Sequence, residues 1–340
     1  MALPDVFTRY RPAIDAGLRQ ALDGGASDLY AMLRYHMGWL DEEGRPTEGA
    51  SGKAVRPALC LFACEAAGGV AERALPAAVA IELVHNFSLI HDDIQDGDTE
   101  RHHHPTVWYR WGHSHGVNAG DAMFVLGHQA LIANDGLAPR TTLAVSRILT
   151  RACAEMIEGQ VLDLTFEQRA SVGVDEYLRM IGKKTGALLE GSLHMGAVIG
   201  CEDPATIEAM RCFGNALGLL FQVRDDMLGV WGVAERTGKP VGSDIHRRKK
   251  SLPIVHALET AQGAGRERLV EIYRKDAPLD EADIESVLGV LADLGTQQVC
   301  EAIADKQADR SVAELDSVEL SPKARRECEE LTQFLLKRDY

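Results

Sequence analysis

Five aspartates in two short segments are the residues of this sequence best suited to chemistry. The stretch His91-Asp92-Asp93-Ile94-Gln95-Asp96 closes a long apolar run. On a helix turning about 100° per residue, Asp92, Asp93 and Asp96 stand at about 0°, 100° and 40°, so the three carboxylates share one arc. Such crowding is costly without a cation, and the negative end of a helix dipole is a poor place for unpaired acids. Oxygen ligands on a rigid helix suit a hard ion such as Mg²⁺, which binds through one or two carboxylates, water and phosphate oxygens. Alone, the cluster could equally be a solvated helix end. A second segment, Phe221 to Gly229, weighs against that by repeating the apolar approach and the adjacent acids, Asp225 and Asp226. Position 229, which shares a face with Asp225 at i+4, is Gly, so at most two acids act directly there and a weaker or more water-rich metal is expected.

A metal cluster that binds phosphates also needs compact cations, because Arg forks take phosphate oxygens in pairs and Lys supplies a point charge. Four groups qualify: Lys53 with Arg56; Arg101; Lys183 with Lys184, before Thr185; and Lys239 followed by Arg247 through Lys250. Any one of these could be an ordinary solvated charge, but together they surround two acid segments. The run His102-His103-His104, with His113 and His115, invites a transition-metal reading. Adjacent histidines point apart on a helix, however, and no Cys or acid completes a tetrahedral set.

The elements that must carry these residues read as helices. Ala, Leu, Glu and Arg fill the periodic segments, and alternating β-branched runs are scarce. Leu75–Asp96 has no Gly or Pro after Pro76 and is expected to run as one helix. Asp280 with Asp283 opens another, and Ser321 followed by Pro322 opens the last. Glycines at 68–69, 112, 136 and 200 suggest short joints between antiparallel neighbours. The expectation is an all-α bundle of roughly ten or more helices. No linker or repeat divides residues 1–340, so a single domain is expected, with its motif-bearing core at about 50–255.

The net charge of −15 argues against nucleic-acid and anionic-membrane partners, which are bound through basic surface. Seven cysteines without a CxxC pair read as reduced thiols. No run of 18 apolar residues and no signal-like start is apparent, so the expected setting is cytoplasmic, without stable membrane insertion.

Taken as a set, GKxxRP at 52–57, HxxSLIHDDxxD at 85–96, Arg101 to Pro105-Thr106, Lys184-Thr185-Gly186, FQxxDD at 221–226 and Gly238-Lys239-Pro240 leading to KKSLP at 249–253 resemble the type I trans-prenyl diphosphate synthases. This is the family of farnesyl and geranylgeranyl diphosphate synthases. The resemblance implies an all-α, dimeric, Mg²⁺-dependent enzyme with a deep cavity between helices. Its substrates would be isopentenyl diphosphate and an allylic diphosphate: dimethylallyl, geranyl or farnesyl.

Carried onto this chain, it implies that Asp92 and Asp96 bind two Mg²⁺ ions and Asp225 a third, with Asp93 and Asp226 in support. Arg101, Lys184, Lys239 and Lys249 would hold the allylic diphosphate. Lys53, Arg56 and His85 would hold isopentenyl diphosphate, while Thr185 and Gln222 would face the developing cation. Phe87 takes the place of the chain-length gate, and Ser88, one turn below Asp92, would let a growing tail pass. Geranylgeranyl diphosphate is the expected product and farnesyl diphosphate the next.

Two departures stand out. Arg101-His102 replaces Arg-Arg on the isopentenyl side, and Gly229 replaces an acid. A terpene cyclase of the same fold is disfavoured by Asp225-Asp226 and by the presence of Lys53 and Arg56. A non-catalytic subunit of a heteromeric synthase is disfavoured because only one acid is missing.

Overall fold

The computed structural model describes residues 3–25, 27–47, 52–102, 104–133, 135–169, 171–233, 241–275 and 277–338. The helices used below are α1 (Arg11–Ala21), α2 (Asp28–His36), α3 (Val55–Ala66), α4 (Leu75–Asp96), α5 (His113–Ile132), α6 (Pro139–Gln168) and α7 (Val174–Ile181). They continue as α8 (Ala187–Gly200), α9 (Pro204–Trp231), α10 (Leu252–Thr260), α11 (Gly263–Tyr273), α12 (Glu281–Asp293), α13 (Thr296–Ala313) and α14 (Pro322–Lys337).

Their ends follow local chemistry. Helix α4 has the bounds expected of it: Pro76 sits in the first turn, and Gly97, at φ 68°, stops the helix. Asp280 and Asp283 form a reciprocal capping box on α12, and the Ser321 hydroxyl accepts from the Ala324 N–H at 3.1 Å to start α14. Glycine joints occur at Gly68 and Gly112, both with positive φ. Gly200 instead completes α8, and the chain turns after it.

Helix α8 is apolar around nearly its whole circumference and lies at the centre, against α3, α9, α6 and α4. Helix α4 is apolar and long enough by composition to cross a membrane, but most of it is buried inside this bundle, packed chiefly on α5. One continuous core runs from Val6 to Leu335, and a smaller cluster gathers Val230, Ile245, Ile254, Leu269 and Ile284 under α10–α12.

Two short non-α elements lie near the acid segments. An antiparallel hairpin of β1 (Glu100–Arg101) and β2 (His104–Pro105) follows α4, with His102 at φ 52° beside its turn. A single π-helical turn, Gly182–Gly186, joins α7 to α8. Such turns recur at functional sites because they displace side chains that a regular helix would align.

Candidate active site

Helix α4 delivers Asp92, Asp93 and Asp96 to one end of the bundle, and each acid meets a different environment. Asp93 is only 2 % exposed. It accepts from Arg101 Nε at 2.8 Å and pairs with Nη2 at 2.7 Å. Asp92 is half-buried and Asp96 exposed at the opening. Burial pushes Asp92 up to about 6, opposed by Lys184 and reinforced by Asp96. Asp96 is also raised, by partial loss of solvent at the opening, against the pull of Lys184 and with the nearby Asp98 and Asp163 adding to it.

The second pair divides in the same way. Asp226 is fully buried. It accepts from Tyr177 Oη at 2.6 Å, Gln222 Nε2 at 2.9 Å and the Leu252 N–H at 3.2 Å. Burial raises it to about 6, against the pull of Lys249, Tyr177 and Gln222. Asp225 is exposed and pairs with Arg338 at 3.3 Å. Lys249 Nζ lies 4.0 Å from both Asp226 and Asp244. Against the cost of burial, those carboxylates hold it protonated above its ordinary range.

Between the pairs stands the π turn. Lys184 Nζ donates to Asp163 on α6 at 2.5 Å. The Thr185 hydroxyl donates to Gln222 Oε1 at 2.7 Å, while the Gln222 amide donates to Asp226. The turn is seated by close approach: a Cβ at Gly159 would lie 2.2 Å from the Lys184 nitrogen, and one at Gly218 would lie 2.7 Å from the Gly186 Cα. Asp163 links the two ends electrostatically, since its charge acts on Asp92 and Asp96 and also on Lys249. Arg247 closes the rim by reaching Asp98 at 3.8 Å.

Beneath Asp92 opens a cavity of about 330 Å³. Its polar lining is Arg56, His85, Ser88, His91, Asp92, Gln95, Gln160, Lys184 and Thr185, and its apolar walls come from Phe87, Leu89, Met156, Ile157, Val161, Leu164 and Leu188. Burial and the Arg56 charge hold His85 well below the usual histidine range, so it is a neutral hydrogen-bonding group. His102 lies elsewhere, lining a neighbouring hollow with His36, Gly52, Asp93 and Arg101. Lys53 is exposed, and the charges of Arg338 and Asp225 act on it. Lys239 lies outside the described residues.

Several readings of the sequence need correction. Lys250 is not a ligand cation: its Nζ donates to the carbonyls of Phe166, Glu167 and Arg169 at 2.8, 2.9 and 2.6 Å, capping the end of α6. Lys183 turns outward to Glu158. The gap at Gly229 is filled from another element, because a Cβ there would lie 2.3 Å from Asp244 Oδ2. A third carboxylate therefore does reach the second segment, from the short helix Ser243–His246. Sequence reasoning also missed Gln160, Asp163, Tyr177 and Arg338. Only Asp163, an acid one turn beyond Gly159 on an otherwise mixed helix, left any local trace.

The donor set fits Mg²⁺. Among the described residues no three carboxylate, imidazole or thiol groups converge on one point. The open oxygens of Asp92, Asp96 and Asp225 instead suit an ion that completes its shell with water and phosphate.

The profile of the family described as Polyprenyl synthetase matches residues 38–291. The chain is 45 % identical over 249 residues to the (2E,6E)-farnesyl diphosphate synthase of Mycobacterium tuberculosis, covering 73 % of this chain and 68 % of that one. It is 37 % identical over 316 residues to the geranylgeranyl diphosphate synthase of the same organism, covering 92 % and 89 %. The crystal structure of polyprenyl synthetase from Streptomyces coelicolor A3(2) superposes with a TM-score of 0.90 at 38 % identity, covering 97 % of this chain and 98 % of that one.

Fold and site thus define a prenyltransferase built on the all-α isoprenoid-synthase bundle. The chain belongs to the polyprenyl synthetase family, as a short-chain prenyl diphosphate synthase.

Proposed function

We propose that this chain condenses isopentenyl diphosphate with allylic diphosphates in a Mg²⁺-dependent reaction, with geranylgeranyl diphosphate as its main product. The observation that carries this is the cavity itself, polar and acidic at the mouth and apolar beneath. Asp92, Asp96 and Asp225 would hold three Mg²⁺ ions, with Asp244 near the third. When bound, Mg²⁺ supplies the positive charge that makes pyrophosphate a stable leaving group.

Lys184, Arg101 and Lys249, with Lys239, orient the allylic diphosphate as its C1–O bond breaks and both electrons leave with pyrophosphate. The Thr185 hydroxyl has its proton committed to Gln222, so its lone pairs are available to face the cation at C1. Lys53, Arg56 and His85 hold isopentenyl diphosphate so that its double bond attacks C1, and the proton then lost passes to the departing pyrophosphate. The walls from Leu89 to Leu188 exclude water, which would quench the cation.

Product length is proposed to depend on Phe87 and Ser88, which both line the cavity. The most similar relatives carry names of both products, and the 45 % identity to the farnesyl diphosphate synthase keeps that product as the second reading.

The chain is proposed to act as one domain and as a homodimer. Val117, Val125 and Ile132 on α5 and Leu143, Ile157 and Val161 on α6 are large apolar residues at least 42 % exposed. A second copy of the same face would cover them. Incubation of the purified chain with Mg²⁺, isopentenyl diphosphate and each of the C5, C10 and C15 primers, read by product mass, tests the assignment. A C20 product is expected, and no elongated product with any primer refutes it.

A further inference from the structure

The adjacent lysines between the short helix Ser243–His246 and α10 serve two different elements. Lys249 turns to the second acid segment, with Nζ 4.0 Å from Asp226 and from Asp244. Lys250 turns to α6 instead, where its Nζ donates to the carbonyls of Phe166, Glu167 and Arg169. Residues 249–251 lie in no helix, and Ser251 is extended. Consecutive side chains of an extended chain face opposite sides, so two like neighbours can reach apart.

An ammonium has three protons, and those of Lys250 meet three carbonyls at the end of α6, where a helix leaves acceptors without partners and its dipole is negative. The segment around it is anchored on the other side as well. The Lys249 N–H donates to the Asp244 carbonyl at 2.9 Å, and the Leu252 N–H donates to Asp226 at 3.2 Å. Lys250 stands between these two anchors and ties them to α6. On α6, one turn before Glu167, Asp163 accepts from Lys184, and its charge acts on Lys249 too. One side chain thus sets the spacing between the helix that carries Asp163 and the segment that carries Lys249.

Resting on the synthase reading above, we propose that Lys250 is a positioning residue for the allylic diphosphate. By tying its segment to the end of α6, it holds the Lys249 ammonium where the charge of the leaving pyrophosphate develops. A cation on an untied segment would spread over many positions, whereas a fixed one meets that charge without reorganising. Lys250 touches no substrate and acts through Lys249.

The test is a double-mutant cycle in the full chain: Lys250→Met, Lys249→Met and the two together, with Lys250→Arg and Arg169→Ala as companions. Lys250→Met should lower kcat/KM for the allylic primer about 10- to 100-fold, the scale of a misplaced charged group, and leave KM for isopentenyl diphosphate within about twofold. Lys250→Arg, which keeps donors for the same carbonyls, should recover part of the loss. In the Lys249→Met background, Lys250→Met should cost less than about threefold more, because the group it positions is gone. Arg169→Ala removes the ion pair with Glu176 at the same end of α6 and keeps the carbonyls that Lys250 holds. It should leave the allylic kcat/KM unchanged. If Lys250→Met does not fold, Lys250→Gln, which keeps a donor and loses the charge, takes its place in the cycle.

A second readout is independent of turnover. Calorimetric titration of the protein with inorganic pyrophosphate in excess Mg²⁺ should show weaker binding in Lys250→Met than in the parent, and no such loss in Arg169→Ala. A purely structural cap predicts a lower Tm, unchanged pyrophosphate affinity and equal losses from Lys250→Met with and without Lys249; that pattern overturns the assignment. An isopentenyl KM that rises as much as the allylic one also overturns it. The two claims fail separately: a wild-type chain that forms no product refutes the synthase reading, whereas an active wild type with an unaffected Lys250→Met variant refutes only this one.

Discussion

Within each adjacent acid pair the two carboxylates meet different fates. Asp93 and Asp226 are buried and accept from protein donors, and in doing so they fix Arg101, Gln222 and Tyr177. Asp92 and Asp225 are left toward the opening. One dipeptide thus both stiffens the site and offers ligand oxygens. Phe87 shows why a helical wheel can mislead at this scale. The wheel sets it well off the acid face, but α4 lines the cavity over a wide arc from His85 to Gln95, and Phe87 falls within that arc. Ile81, which the wheel sets on the acid stripe, is fully buried in the core and packs toward Gly191 instead. Phe87 stacks against Phe124 at 5.4 Å and His91 at 5.0 Å, forming part of the wall. Phe87→Ala should therefore lengthen the product by at least one C5 unit, read by mass spectrometry of the released diphosphates. An unchanged product distribution in a folded variant would remove Phe87 as the gate.

At the scale of elements, the π turn and its supports decide where Lys184 and Thr185 point. Gly159→Ala would force a methyl into the Lys184 backbone, where no flexible side chain can yield. We expect a loss of about 1–3 kcal/mol of stability, together with a fall in kcat. Urea unfolding and steady-state assays of the same preparation check both, and normal values for both would show that α6 can step back from the turn.

Helix α2 meets α4 through His36, whose Nε2 lies 3.1 Å from Asn86 Oδ1. Burial, with the Arg101 charge, lowers His36 to about 3, and the Asn86 contact opposes this only in part. Between about 3 and the ordinary 6.5, the folded chain binds fewer protons than the unfolded chain. The stability that depends on neutral His36 is therefore complete above 6.5 and is lost as the pH falls. His36→Gln should reduce the drop in urea midpoint between pH 7 and pH 5 by the equivalent of up to about 2 kcal/mol. Parallel pH profiles for variant and parent would exclude His36 as a contributor.

What the sequence revealed and what it hid divide along local and non-local lines. The bounds of α4, the box on α12 and the cap on α14 are written in neighbouring residues, and so are the two acid segments. Asp244 over Gly229, Asp163 under Lys184 and Arg338 beside Asp225 arise from packing between distant stretches, which no local spacing encodes. The hairpin after α4 is two residues per strand, too short to carry an alternating pattern.

For the whole molecule, the exposed apolar face on α5 and α6 and the substrate cavity are coupled. Ile157 and Val161 belong to both: they line the cavity and are 46 % and 59 % exposed in the isolated chain. The cavity wall therefore borders the face that a second copy would cover. A partner subunit seated on that face would back the wall and keep the reacting cation dry. Val125 lies on the same face, 59 % exposed, and is absent from the cavity lining, so it separates assembly from direct damage to the site. In a lone chain Val125→Asp is a tolerated surface change. In a dimer assembled through this face it would bury an unpaired charge in each subunit, which opposes association. Light scattering after gel filtration should give twice 37.0 kDa for the parent and 37.0 kDa for Val125→Asp at low micromolar concentration. Turnover should fall with the loss of the dimer and return in part as protein concentration is raised. A parent that runs at 37.0 kDa, or a variant that stays dimeric, would show that this face is not where two copies meet.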